Sequence, residues 1–267
     1  MEIAFHLLLF ILGACFGSFL CCQARRLRYN STHKTKLRAT RSICLHCKKN
    51  LKWYDNLPLI SWLILKGKCR YCHHKIGIAE FLAELATAFT FLLFSFAISP
   101  SSTDPLAWTT FIVSLLLVLA FIFLAIYDGL YGELPSILLT ISIICAIILL
   151  SLKTWAYLLV NPFNPILITD PLLSATILGG LYFILYLVSK GRWVGDGDPY
   201  LALAIALALG HPFLSLLALF LANFSACLIS LPLVKGNRKA KIHFGPFLVL
   251  AFVITYGFSH FFISLML

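Results

Sequence analysis

Two aspartates stand at the polar ends of long apolar runs. Asp128 follows 111–127, and Asp198 closes Gly195-Asp196-Gly197-Asp198 just before another apolar stretch. A carboxylate placed in a membrane is expensive and marks a functional position by default. Two of them at one membrane face can share a proton. The ionised one then takes a proton from a water, and the protonated one donates to a carbonyl oxygen. That is the chemistry of amide hydrolysis. Each aspartate alone has a plainer reading: Asp198 as the cap of a helix opening at Pro199, Asp128 as a solvated end residue before Gly129. Their co-occurrence in one apolar chain favours catalysis. Asp196 and Glu133 are acidic neighbours and rank below Asp198 and Asp128. Gly195 and Gly197 would let a substrate strand approach the backbone closely, so both are candidate substrate-binding positions.

A second constellation is Cys44-Leu45-His46-Cys47 with Cys69-Arg70-Tyr71-Cys72. Two C-x2-C knuckles supply the four thiolates of a tetrahedral zinc site. Four thiolates leave no open coordination position, so such a site is structural. A disulfide-stapled loop is the competing reading. His46, His73 and His74 flank the knuckles and are competing ligands. Cys15, Cys21, Cys22, Cys145 and Cys227 lie in apolar stretches and read as small buried hydrophobes.

The elements that must position these residues follow from composition. Of 267 residues, 61% are hydrophobic and only 12% charged, with a mean hydropathy of +0.95. A soluble domain is far more polar. The pattern predicts an all-α polytopic membrane protein with about eight transmembrane helices. Their expected ranges are 3–23, 79–98, 108–127, 135–152, 173–189, 199–210, 212–234 and 244–265, the sixth being short for a crossing. The predicted organisation is a first transmembrane helix (1–23), a small cytoplasmic zinc-binding domain (24–78) and a transmembrane peptidase domain (79–267). Fourteen of the 21 Lys and Arg fall in 24–78. Lys190, Arg192, Lys235, Arg238, Lys239 and Lys241 fall in loops that eight alternating spans put on the same face, leaving Lys153 on the other. The positive-inside rule makes the crowded face cytoplasmic, and both aspartates fall on it. The first apolar stretch lacks a basic n-region and is expected to be a retained span with its N-terminus outside. The net charge of +11 is explained by anionic membrane lipids rather than nucleic acid. The 153–172 segment, with Pro162, Pro165 and Pro171, is an expected external loop. No internal repeat is expected.

The ordered motifs resemble the type 4 prepilin peptidases, a family of GxGD intramembrane aspartic proteases. Gly13-Ala14-Cys15-Phe16-Gly17-Ser18-Phe19-Leu20 is similar to the family's opening G-x-x-x-G-S-F-L. Cys44-x-x-Cys47 and Trp53-Tyr54-Asp55-Asn56-Leu57-Pro58 follow, then Leu59-Ile60-Ser61-Trp62 and Gly67-Lys68-Cys69-Arg70-Tyr71-Cys72. Asp128 with Leu134-Pro135 resembles the first catalytic aspartate and its downstream I-P. Gly195-Asp196-Gly197-Asp198 resembles the second, and Ile242-His243-Phe244-Gly245-Pro246-Phe247 the closing I-P-F-G-P-F.

The resemblance implies removal of the short basic leader from type 4 prepilins, or from pseudopilins of secretion and DNA-uptake machines. It implies Asp128 and Asp198 as the catalytic pair at the cytoplasmic face of the inner membrane. In many members it also implies N-methylation of the new terminus with S-adenosylmethionine. Two departures stand out. Pro199-Tyr200 follows G-x-G-D where the family usually carries a Lys two residues on. The family's R-Y-P-x-x-E is replaced by Ala79-Glu80-Phe81-Leu82-Ala83-Glu84, which keeps only the acidic position. The rival expectations are a catalytically degenerate prepilin-binding or assembly scaffold and a membrane-anchored zinc interaction module.

Overall fold

The computed structural model describes residues 2–32, 42–44, 46–97, 104–159, 166–236 and 243–265. Arg238, Lys239, Lys241, Pro162, Pro165 and Ile242 of the expectations above lie outside the described residues. The ordered elements are α1 (Glu2–Thr32), a single turn at Trp53–Asn56, α2 (Ile60–Ile64), α3 (Ile78–Ala97), α4 (Pro105–Tyr131) and α5 (Ser136–Leu158). They continue with α6 (Ile166–Ser174), a wider π-type segment (Ala175–Gly180), α7 (Leu181–Ser189), α8 (Asp198–Leu209), α9 (Pro212–Gly236), α10 (Gly245–Gly257) and α11 (Ser259–Ser264). Extended pairing among the described residues is confined to two isolated bridges. The chain is a polytopic helical membrane protein. Six helices are long and apolar enough to cross a bilayer, and α8 and α10 are shorter apolar helices. The expected last span is broken at Phe258, where α10 stops and α11 begins.

The chain forms two compact units, Met1–Phe96 and Ala97–Leu267. In the first, α1 and α3 pack through glycines four residues apart. A Cβ at Gly13 would sit 2.8 Å from the Thr87 carbonyl oxygen, and one at Gly17 would sit 2.7 Å from Glu84 Cα. This small-xxx-small seam lets two backbones touch, the packing that apolar solvent otherwise fails to drive. The pair is pinned at one end by His6 Nδ1 and Ser95 Oγ, 2.7 Å apart, and at the other by the Arg25–Glu80 ion pair.

In the second unit α8 is the buried element. Leu201, Ala202, Ala204, Ile205, Ala206 and Ala208 are inaccessible to solvent. The many alanines let neighbours come close, and Gly179 in the π-type segment leaves only enough room for Leu203. Twelve residues span about 18 Å, short of a hydrocarbon layer of roughly 30 Å. The C-terminus of α8 therefore needs partners from the protein itself. Gly210 closes it with a left-handed residue whose N–H donates to the Ala206 carbonyl at 2.9 Å. Ser174 Oγ donates to the same oxygen at 2.7 Å and lies 2.5 Å from Ser215 Oγ. Lys153 Nζ reaches from α5 to the Ala208 carbonyl at 2.9 Å, 4.3 Å from the centre of the Tyr256 ring. The one basic residue that charge counting sets apart from the crowded face is thus a helix cap.

Lys153→Met should leave the Ala208 carbonyl unsatisfied and cost about 1 kcal/mol, in line with intramembrane hydrogen bonds. The expected outcome is a lower thermal midpoint in detergent with helix content unchanged. Lys153→Arg should retain most of the stability.

Candidate functional site

Asp128 lies in the last turns of α4. That helix is capped at its start by Asp104, which accepts the Leu106 N–H at 2.9 Å, and ends at Gly132 with φ +67°. The Gly132 N–H donates to the Asp128 carbonyl at 2.7 Å, which turns the chain away just beyond the side chain. Asp198 opens α8 with Pro199 behind it, at a position whose N–H has no intrahelical partner. Both aspartates are 6% exposed.

Each carboxylate is held by one backbone N–H. Gly245 donates to Asp128 Oδ2 at 2.9 Å, across 117 positions of sequence. Gly195 donates to Asp198 Oδ2 at 2.9 Å, within the glycine turn itself. Among the described residues nothing bonds either Oδ1 atom. The two groups lie close enough for the charge of Asp128 to act on Asp198. Asp196 goes elsewhere: it is exposed and pairs with Tyr186 on α7. Glu133 is also exposed.

The surrounding glycines are spaces already taken. A Cβ at Gly245 would lie 2.8 Å from Asp128 Oδ2, so a side chain there would displace the carboxylate. One at Gly197 would strike Leu134 at 2.6 Å, which packs the glycine turn onto the segment following Asp128. One at Gly195 would come within 3.3 Å of Asp198 Oδ2 on an otherwise exposed edge. His243 fills the space beside Gly132, with Nε2 2.8 Å from where its Cβ would be. His243 and Gly245 have no signal in the spacing of the aspartates. Only their place in the closing motif marked them.

The four cysteines converge in the first unit. Their sulfurs all lie within 4.8 Å of one another, and Cys44 Sγ and Cys72 Sγ are 3.8 Å apart. Zinc bound at a Zn–S distance of about 2.3 Å gives a tetrahedral edge of roughly 3.8 Å, so the donor set fits the ion and could hold it. The cysteines are free thiols rather than disulfides. His46 and His74 stack on each other with centroids 4.3 Å apart, close in sequence to cysteines of the cluster. The knuckles repeat one pattern. Lys48 N–H donates to Cys44 O at 2.8 Å and His73 N–H to Cys69 O at 2.9 Å, with φ +56° and +53° at the donors. Bridges Ile43–Asn50 and Lys68–Lys75 close the two loops. This is a short internal repeat where none is expected from the sequence, because only the cysteines are shared between the copies.

Asp55 ties this unit together. Burial pushes its carboxyl up, but the Arg70 guanidinium at 2.6 Å and the Lys52 N–H at 3.1 Å outweigh that and hold it below the usual carboxylate range. Glu84, the acid retained in the altered 79–84 stretch, accepts the Leu59 N–H at 2.7 Å. Leu59 has φ +62° and ψ −50°, the strained geometry of a γ-turn closed by Ile60 N–H on the Pro58 carbonyl, and the bond to Glu84 helps to hold it there.

Residues 11–98 match the model of the Bacterial Peptidase A24 N-terminal domain. The chain is 29% identical to the Prepilin leader peptidase/N-methyltransferase of Vibrio cholerae serotype O1, over 96% of this chain and 98% of that protein. It is 32% identical to the protein of that name from Klebsiella pneumoniae, over 76% of this chain and 84% of the relative. For the one from Aeromonas hydrophila the identity is 29% over 80% and 70%. No solved structure matches.

Metal removal tests the cysteine cluster. A strong chelator, or Cys69→Ser, should make 42–76 at least tenfold more sensitive to limited proteolysis while α4 to α10 keep their thermal transition. Unchanged cleavage of 42–76 after verified chelation would rule out a structural metal there.

Proposed function

Because the chain belongs to the prepilin leader peptidase/N-methyltransferase family, we propose that Asp128 and Asp198 are the catalytic pair of an intramembrane aspartic endopeptidase. Its substrates are type 4 prepilins or pseudopilins, cut between leader and mature chain at the cytoplasmic face of the inner membrane. The observation that carries this reading is the pair itself: two buried carboxylates from helix ends 70 residues apart in sequence, each anchored through one oxygen, with no bond to the other oxygen among the described residues.

The mechanism follows from that arrangement. A water between the carboxylates loses a proton to the ionised one and attacks the scissile carbonyl carbon. The protonated partner donates to the carbonyl oxygen, giving a tetrahedral gem-diol; as this collapses, the carboxyl that took the water's proton passes it to the departing amine, and its partner takes a proton back from the gem-diol. The pair titrates jointly, so neither aspartate is assigned as the acid. The Gly245 and Gly195 N–H groups fix the carboxylates in place, so little reorganisation is needed as charge moves. Gly195 and Gly197 form the edge along which the substrate strand approaches, with Leu134 supporting it from behind. The division into a first span (1–23), a zinc-binding domain (24–78) and a peptidase domain (79–267) is part of this proposal. The four cysteines would hold zinc and stiffen the 24–78 domain.

The relatives' shared name carries a second activity, N-methylation of the new terminus, for which S-adenosylmethionine would be the methyl donor. The alternative is a catalytically degenerate scaffold that binds prepilin without cutting it, motivated by the missing Lys after G-x-G-D.

Co-expression with a prepilin cut by an authentic peptidase, followed by mass spectrometry of the pilin N-terminus, separates these readings. Wild type should release the leader, and Asp128→Asn and Asp198→Asn should each lose on the order of a thousandfold or more in rate while remaining folded. A methyl mass on the product reports the second activity, and an intact leader with wild type selects the scaffold. Gly245→Ala should fold but lose roughly 10- to 100-fold in rate, because its methyl displaces the Asp128 carboxylate.

A further inference from the structure

The first unit carries an apolar surface that the peptidase chemistry does not use. Helix α2 is fixed against the first turns of α3. The Trp62 ring stacks on Phe81 with centroids 4.7 Å apart, and Leu59, at the head of α2, is bonded to Glu84. With Trp62 turned inward, Ile60, Leu63 and Ile64 are left 55%, 59% and 68% exposed. Ile78 and Leu82, in the same first turns of α3, are also exposed. Trp53, ahead of α2, is 77% exposed. A contiguous patch of this kind is costly in water and marks an interaction surface.

The depth and charge of the patch identify its partner. Helix α3 is a 20-residue membrane-spanning candidate, long enough to cross a hydrocarbon layer of about 30 Å with little to spare. Its first turns therefore sit at the boundary between hydrocarbon and headgroups, and α2 is held beside them. Basic side chains border the patch: Lys52, Lys66 and Lys68 are all exposed. Asp55, the sole acidic residue of 24–78, is engaged by Arg70 and offers no opposing charge. An apolar face with an aromatic residue and a basic rim is the composition of a segment that lies in an anionic membrane interface.

We propose that the Trp53–Ile64 segment is a membrane-interfacial element, with Ile60, Leu63 and Ile64 in the acyl boundary and Lys52, Lys66 and Lys68 against anionic lipid headgroups. It seats the cysteine knuckles on the bilayer surface, continuous with the lipid-facing side of α3. The surface requires neither catalysis nor metal occupancy.

The test uses the full chain in liposomes containing phosphatidylglycerol, with the photoreactive residue p-benzoylphenylalanine at Ile64 and, separately, at Lys49, an exposed knuckle position. After irradiation, lipid-modified peptides are counted by mass spectrometry. At least fivefold more lipid adduct at 64 than at 49 is expected, falling severalfold when phosphatidylglycerol is replaced by phosphatidylcholine. Equal adducts at 64 and 49, or adducts at 64 to an added prepilin or to a second copy of the chain in place of lipid, would overturn the proposal. Labelling at 64 that ignores lipid charge would overturn the headgroup contacts. A Lys66→Gln/Lys68→Gln variant, which removes two positive charges and keeps every apolar side chain of the patch, should reproduce the loss seen with phosphatidylcholine, and an unchanged adduct yield in that variant would contradict the basic rim.

Discussion

A helix too short to cross a bilayer leaves an end inside it whose backbone groups the protein must satisfy, and α8 is such a helix. Its carbonyl end is closed by Gly210, Ser174 and Lys153. At its amino end Pro199 brings no N–H, and Asp198 folds back onto the Gly195 N–H. Membrane solvent makes this a strict requirement, because an unpaired polar group there has no water to turn to. The carboxylate of Asp198 thereby occupies a fixed position inside the bundle. The close packing of alanines on α8, and Gly179 opposite Leu203, maintain that position. The same logic governs Asp128, whose single backbone donor comes from the loop preceding α10. Glycine at 245 is needed because any side chain would occupy the place of the carboxylate.

The first unit is held by different means. Polar contacts fix its loops, and the four converging cysteines offer a site where a metal could add to them. Asp55 with Arg70 ties the second knuckle to the turn at Trp53–Asn56, and Glu84 with Leu59 ties the head of α2 to α3. Glu84 holds a strained leucine in place. That gives the retained acid of 79–84 a structural role even where the rest of the family's stretch is lost.

The legible part of this molecule was the part written in contrast. Two aspartates against apolar runs, and cysteines in paired spacing, stand out in any window of the chain. The shortness of α8 was visible from its length alone. What could not be seen was pairing at a distance. The Gly245–Asp128 bond joins residues 117 apart, and neither carries a local sign of the other. Lys153 was visible as a charge but not as a cap, since its partner is a backbone carbonyl 55 residues later. His243 sits in a recognisable motif, yet its proximity to Gly132 depends on how α4 and the α10 loop meet. The break at Phe258 and the π-type segment at Ala175–Gly180 reflect packing that hydropathy averages over.

The central claim is that the two aspartates act as one proton-sharing unit. Comparing Asp128→Asn, Asp198→Asn and the double variant by single-turnover leader cleavage tests it most directly, because residues acting as a unit show strongly non-additive losses. The account predicts that the double variant is no slower than either single one. Losses that multiply across the double variant would show that the two carboxylates contribute independently, and would contradict the shared-proton mechanism.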